Sequence, residues 1–126
     1  MQGAALGLGA LALPMSARSQ SKARIVILGG GFGGASAAAL LVRLMPSAQV
    51  TLVDANPTYT ACPFSNLVIG TERPLSAQQF SYDGLRAQGV GIVIAKAMDV
   101  SAETQIVTLE DGSEIGYDRL ILSPGI

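Results

Sequence analysis

Arg24 to Leu28 (RIVIL) is a short apolar run rich in β-branched residues, which predicts a parallel strand buried on both faces. Glycines 29, 30, 31, 33 and 34 follow at once. From Ala35 to Met45 the period lengthens. Ala37, Leu40, Leu41 and Leu44 fall at i, i+3, i+4 and i+7, predicting a helix with one apolar face that Pro46 ends. Val50 to Val53 is a second strand, closed by Asp54. Together these make a βαβ unit, whose crossover should be right-handed. Residues 55–75 read as a long loop broken by Pro57, Pro63, Gly70 and Pro74. Ala77 to Gln88 suggests a short helix ended by Gly89, and Val90 to Ile94 a third strand. Val100 and Ile106–Leu109 suggest a small antiparallel meander turning at Asp111-Gly112. Asp118 to Leu122 returns to a buried strand. The fold class is therefore α/β, a parallel sheet with a small antiparallel β-meander.

The two ends of the chain break this pattern. Met1 to Ala17 contains no charged side chain, and Gly3 to Leu13 is an apolar run of 11 residues. A bilayer span needs about 20, so stable membrane insertion is not expected. The run has the length of a signal-peptide core, with Pro14 after it and Ala17 as a small residue at a cleavage point. The basic segment that usually precedes such a core is missing, so an export signal would be clipped at its start. A buried element or an unstructured tail are the rival readings of 1–17. At the other end, a buried strand stops four residues before Ile126 with no polar tail. The expectation is a clipped export signal over 1–17 and the N-terminal part of a larger enzyme over 18–126, in the periplasm.

Composition narrows the chemistry. The 126 residues carry 8 basic and 9 acidic side chains, a net charge of −1, which argues against a nucleic-acid surface or a polybasic membrane patch. There is no histidine and one cysteine, Cys62. An internal disulfide, a His/Cys zinc site and a Ser-His-Asp triad are excluded by that count, and no metal site is expected.

Gly29, Gly31 and Gly34 spell G-x-G-x-x-G between a strand and a helix, the context that gives the pattern meaning. The first glycine permits the tight turn, the second lets a diphosphate approach the backbone, and the third lets helix pack on strand. The helix start then offers free N–H donors and a partial positive charge. Asp54 lies 20 residues beyond Gly34 at the tip of the second strand. A carboxylate there accepts hydrogen bonds from ribose hydroxyls and would repel a 2′-phosphate. No Gly-Lys-Ser or Gly-Lys-Thr follows, so this is not a P-loop but a Rossmann-like dinucleotide-binding unit. Cys62, in Tyr59-Thr60-Ala61-Cys62-Pro63-Phe64-Ser65-Asn66, has two readings: a small buried hydrophobe, or a reactive thiol facing a cofactor.

The run RIVILGGGFGGASAAALLVRLMPSAQVTLVDANPTYTACPFSNLVIG, with SYDGLRAQGV and GYDRLILSPGI further on, resembles the flavoprotein subunit of flavocytochrome c sulfide dehydrogenase. The glycine motif is shared with the wider FAD and NAD(P) disulfide-oxidoreductase superfamily, including sulfide:quinone oxidoreductases. The resemblance implies FAD, its ADP half on Gly29, Gly31, Gly34 and Asp54, where the family has glutamate. It makes Cys62 the residue bonded covalently to the methyl carbon of the flavin's benzenoid ring. It sets Pro124 and Gly125 near the flavin and makes Ala97 a candidate backbone contact to adenine. It implies a larger two-dinucleotide-domain fold and electron flow from a small inorganic sulfur substrate through flavin to a c-type cytochrome subunit. The disulfide that sulfide attacks in that family has no counterpart in these residues, so this chain alone should be inactive, with no catalytic residue of its own. The rivals are a sulfide:quinone oxidoreductase or an NAD-linked pyridine nucleotide-disulfide oxidoreductase, and a non-catalytic dinucleotide-binding module.

Overall fold

The computed structural model describes residues 22–125. The expectations for the apolar leader at 1–17 and for Ile126 lie outside the described residues. Four strands form a parallel sheet: β1 (Arg24–Leu28), β2 (Gln49–Asp54), β5 (Gly91–Ile94) and β9 (Arg119–Leu122), in the order β5-β2-β1-β9. Helix α1 (Phe32–Leu44) joins β1 to β2. A separate antiparallel sheet of β6 (Ala97–Ser101), β7 (Ile106–Leu109) and β8 (Glu114–Gly116) is the expected meander. It turns at Gly112, whose φ of 81° lies in the left-handed region that glycine enters without cost.

The central strand explains the layering. Successive strand side chains point to opposite faces. Ile25 and Ile27 join Val50, Leu52 and Ala38 in one buried cluster beneath α1. Val26 and Leu28 join Val53, Val107, Leu109 and Tyr117 in a second cluster beneath the meander. RIVIL is thus covered on both sides, as a continuous apolar run requires.

Three expectations are corrected. Helix α1 starts at Phe32 rather than Ala35, and its buried face is not the leucine stripe. Gly34 and Ala38 are its buried residues, with Ala37, Leu41 and Val42 packed at the margin. Leu40 and Leu44 are 51% and 69% exposed. The reason is closeness. A side chain on Gly34 would run into the Gly29 carbonyl oxygen, so small residues face the sheet, Leu41 packs at its margin, and Leu40 and Leu44 turn away.

The loop at 55–75 contains strand β3 (Thr58–Thr60) and helix α2 (Ser65–Ile69). The helix expected over Ala77–Gln88 is broken. A 3₁₀ turn at Leu75–Gln78 leads into strand β4 (Gln79–Ser81), followed by helix α3 (Asp83–Ala87). Strand β4 pairs antiparallel with β3, setting Tyr59 opposite Phe80 and Thr60 opposite Gln79. That pairing satisfies the backbone of 79–81 and competes with helix there. Ser81 Oγ donates to the Asp83 carboxylate and accepts from the Asp83 N–H, so the helix restarts two residues later.

Candidate dinucleotide site

The parallel sheet brings the ends of β1, β2 and β9 side by side. Gly29 leaves β1 with φ of 101°, and a side chain there would strike the Ser123 carbonyl. Its N–H donates to Val53 O at 2.8 Å, and the Ser123 N–H donates to Leu28 O at 2.8 Å. The glycine turn is therefore clasped by both neighbouring strand ends.

Each motif glycine matches a physical need. Gly29 requires the positive φ, and Gly34 the contact between helix and turn. At Gly31 an added Cβ would meet only the Tyr59 ring edge, at 3.5 Å, so this backbone lies bare toward a cleft. Gly31 is also the N-cap of α1, in extended conformation, with no side chain capping the first turn and no acidic residue in it. The first N–H groups of a helix have no partner within it. Here they remain as donors for an anion, reinforced by the helix dipole.

Asp54 closes the opposite side of the turn. Its Oδ2 accepts the Gly30 N–H at 2.6 Å and its Oδ1 accepts the Asn56 N–H at 2.8 Å. These bonds fix the carboxylate while each oxygen retains acceptor capacity for a hydroxyl. Tyr82 lies against Gly30, 3% exposed, and its buried hydroxyl has no hydrogen-bond partner among the described residues. Burial, and then the nearby Asp54 charge, push its pKa up to about 12.

Two clefts meet at this point. One, of about 670 Å³, runs from Leu28, Gly29 and Asp54 past Ala95 and Lys96 to the first residues of β6, with Ala97 in its wall. The other, of about 640 Å³, runs past Gly31 and Gly33 to Tyr59, Cys62, Tyr82 and Gly125. Asp54, Asn56 and Pro124 line both. Every candidate residue borders one of these clefts except Gly34, which lies behind the turn and shapes it. Cys62 is exposed within the second, which removes its reading as a buried hydrophobe.

The loop bearing Cys62 is tightly tied. Phe64 has φ of 68°, left-handed for a bulky residue, the kind of strain that persists only where surroundings hold it. The Ser65 hydroxyl and N–H both donate to the Cys62 carbonyl. Phe32 meets Tyr59 edge-to-face, ring centres 5.2 Å apart, in the wall of the same cleft. Sequence reasoning missed Asn56, Tyr59, Gln78 and Tyr82. Asp54-x-Asn56 carries a local signal, an Asx turn. The others depend on β3 pairing with β4, which no local pattern announces.

Residues 23–126 match the family model described as pyridine nucleotide-disulphide oxidoreductase. The chain belongs to the pyridine nucleotide-disulphide oxidoreductase family. Within it, the chain is 56% identical over 45 residues to the flavoprotein chain of sulfide dehydrogenase (flavocytochrome c) from Chlorobaculum thiosulfatiphilum, covering 36% of this chain and 94% of that sequence. It is 28% identical over 102 residues to the sulfide-quinone reductase of Aquifex aeolicus (strain VF5), covering 80% of this chain. This chain spans 24% of the length of that relative. The X-ray structure of the sulfide:quinone oxidoreductase from Aquifex aeolicus superposes with a TM-score of 0.76 at 28% identity, over 82% of this chain and 24% of that one. The family's α/β architecture is thus the one expected from the residues. Among the described residues no helix is long and apolar enough to cross a membrane.

Proposed function

We propose that this chain is the dinucleotide-binding part of an exported FAD-dependent flavoprotein that oxidises sulfide and passes electrons to a c-type cytochrome. One observation carries the reading: bare helix-start amides, a fixed carboxylate and an exposed thiol border clefts that join at Asp54. The similarity to a flavocytochrome c flavoprotein chain supports the sulfide and cytochrome assignments. The apolar run Gly3–Leu13 supports export, with 1–17 as a clipped leader and 18–126 as the N-terminal part of an FAD-binding domain.

In this reading the clefts suit FAD. The α1 amides and the Gly29–Gly31 backbone hold the diphosphate. Asp54 accepts from the ribose hydroxyls and disfavours a 2′-phosphate. Ala97 borders adenine, and Pro124 and Gly125 border the flavin. The flavin, when bound, supplies the two-electron chemistry, and the protein's part is placement and tuning. Cys62 would hold the flavin covalently, through a thioether to its ring methyl. Its thiol proton and one methyl proton would leave as the C–S bond forms. Such attachment would be a two-electron oxidation, so it would require an oxidant from outside these residues, dioxygen or the cytochrome.

Intact mass of the full-length protein tests this. The expected result is a flavin-sized increment that survives acid denaturation and is lost in Cys62→Ala. Similarity to sulfide-quinone reductase over 102 residues favours a second reading, a quinone-linked enzyme. Flavin released by acid from the wild type would select it, and no flavin at all would end both.

A further inference from the structure

Gln78 is the one buried polar residue among the described residues, at 3% exposure. Its side-chain Nε2 donates to the Pro63 carbonyl at 2.8 Å. Its own carbonyl accepts the Ala61 N–H at 2.9 Å. One residue thus holds the chain on both sides of Cys62. The Ala61 bond extends the β3–β4 ladder one step beyond Thr60 and Gln79. The Pro63 bond lies past the point where that ladder ends, so there it depends on the side chain alone. Proline has no N–H, so the carbonyl is the one main-chain group through which Pro63 itself can be hydrogen-bonded. Within this bracket Cys62 is exposed and lines the cleft shared with Gly31, Tyr59 and Tyr82.

We propose that Gln78 is a positioning residue for Cys62, fixing the loop so that its sulfur stands where a flavin ring methyl is presented. This rests on the reading of Cys62 as the site of flavin attachment. A buried amide with a donor spent on a single loop carbonyl gives direction as well as stability. Loss of that donor frees the Pro63 side of the loop while the ladder still holds the Ala61 side. The adenosine-binding groups, Gly29 to Gly34 and Asp54, belong to other elements and are untouched.

The test compares full-length wild type with Gln78→Met, which keeps the shape and loses the donor, and Gln78→Glu, which offers an acceptor where a donor is needed. Total bound flavin, flavin retained after acid denaturation and melting temperature are measured on each. The expected result is total flavin near wild type with attachment slowed by at least about tenfold in both variants, as misplacement of a reacting atom produces. Attachment at the wild-type rate in both would overturn the proposal. So would a proportional fall in total and attached flavin with a lowered melting temperature, which marks a purely structural role. Acid-released flavin in the wild type would instead remove the Cys62 reading and the proposal with it.

Discussion

At Gly31 and Gly34 the same substitution should have opposite consequences. A Cβ on Gly34 collides with the Gly29 carbonyl and comes within 3.3 Å of Ile27, both part of packed backbone and core. Gly34→Ala should therefore cost about 1–3 kcal/mol, read as a lower urea midpoint. A Cβ on Gly31 meets only a ring edge at ordinary contact distance. Gly31→Ala should leave stability within about 0.5 kcal/mol of wild type. It should weaken dinucleotide binding by at least about tenfold, or roughly 1.4 kcal/mol, because the methyl occupies space the diphosphate needs. Equilibrium titration with FAD, with and without Gly31→Ala in a Cys62→Ala background, measures the second effect. Equal loss of stability in both variants would sink the division of labour between these glycines. That division was legible in the spacing, since turn, approach and packing each need a missing side chain for a different reason. Gln78 was not. It sits in a stretch whose composition suits a helix, and its role arises only from a partner 15 residues back.

Among elements, the pairing of β1 with β9 sets the alignment of the crevice, and its start is fastened by charge. The Arg24 backbone N–H donates to one Asp118 carboxylate oxygen at 2.6 Å, and the guanidinium lies 3.1 Å from the other. The hydrogen bonds from the Arg24 side chain, then from its backbone, hold the Asp118 pKa below its ordinary value. A carboxylate depressed in the folded state stabilises the fold above its unfolded pKa. That contribution is lost as pH falls through the folded value. Both side chains are well exposed, so salt should weaken the effect. The expected outcome is that Asp118→Asn lowers the melting temperature slightly at neutral pH and matches wild type at strongly acidic pH. A difference that grew on acidification would reverse the sign of this argument. Strands β1, β2, β5, β7 and β9 were readable because each carries a short, mostly apolar run, although β9, expected to be buried, is only partly so, with Leu122 64% exposed. Strands β3 and β4 have three residues each and exist through pairing across about twenty residues of chain, leaving no period to read. The buried face of α1 was misread because its contact with the sheet is made by glycine and alanine, the residues a hydrophobic pattern weighs least.

At the scale of the molecule, the described residues hold the walls of the crevice proposed for the cofactor. Its one cysteine excludes an internal redox disulfide, and the chain spans 24% of its sulfide-quinone reductase relative. Residues 1–126 alone should therefore show no sulfide-dependent reduction of cytochrome c, followed spectrophotometrically with added FAD. Measurable turnover would overturn the view that the reaction needs groups from outside these residues.

The clasp between Gly29 and Ser123 also limits how this protein can vary in length. Side chains along β9 alternate faces, so one extra residue at Tyr117 or Asp118 would invert the strand. It would also move the Ser123 carbonyl off the turn it fits against. The exposed bends at 102–105 and 111–113 carry no such tie to the nucleotide turn. Insertions and deletions among natural homologues should accumulate in those two hairpin tips, while the spacing from Tyr117 to Pro124 stays constant.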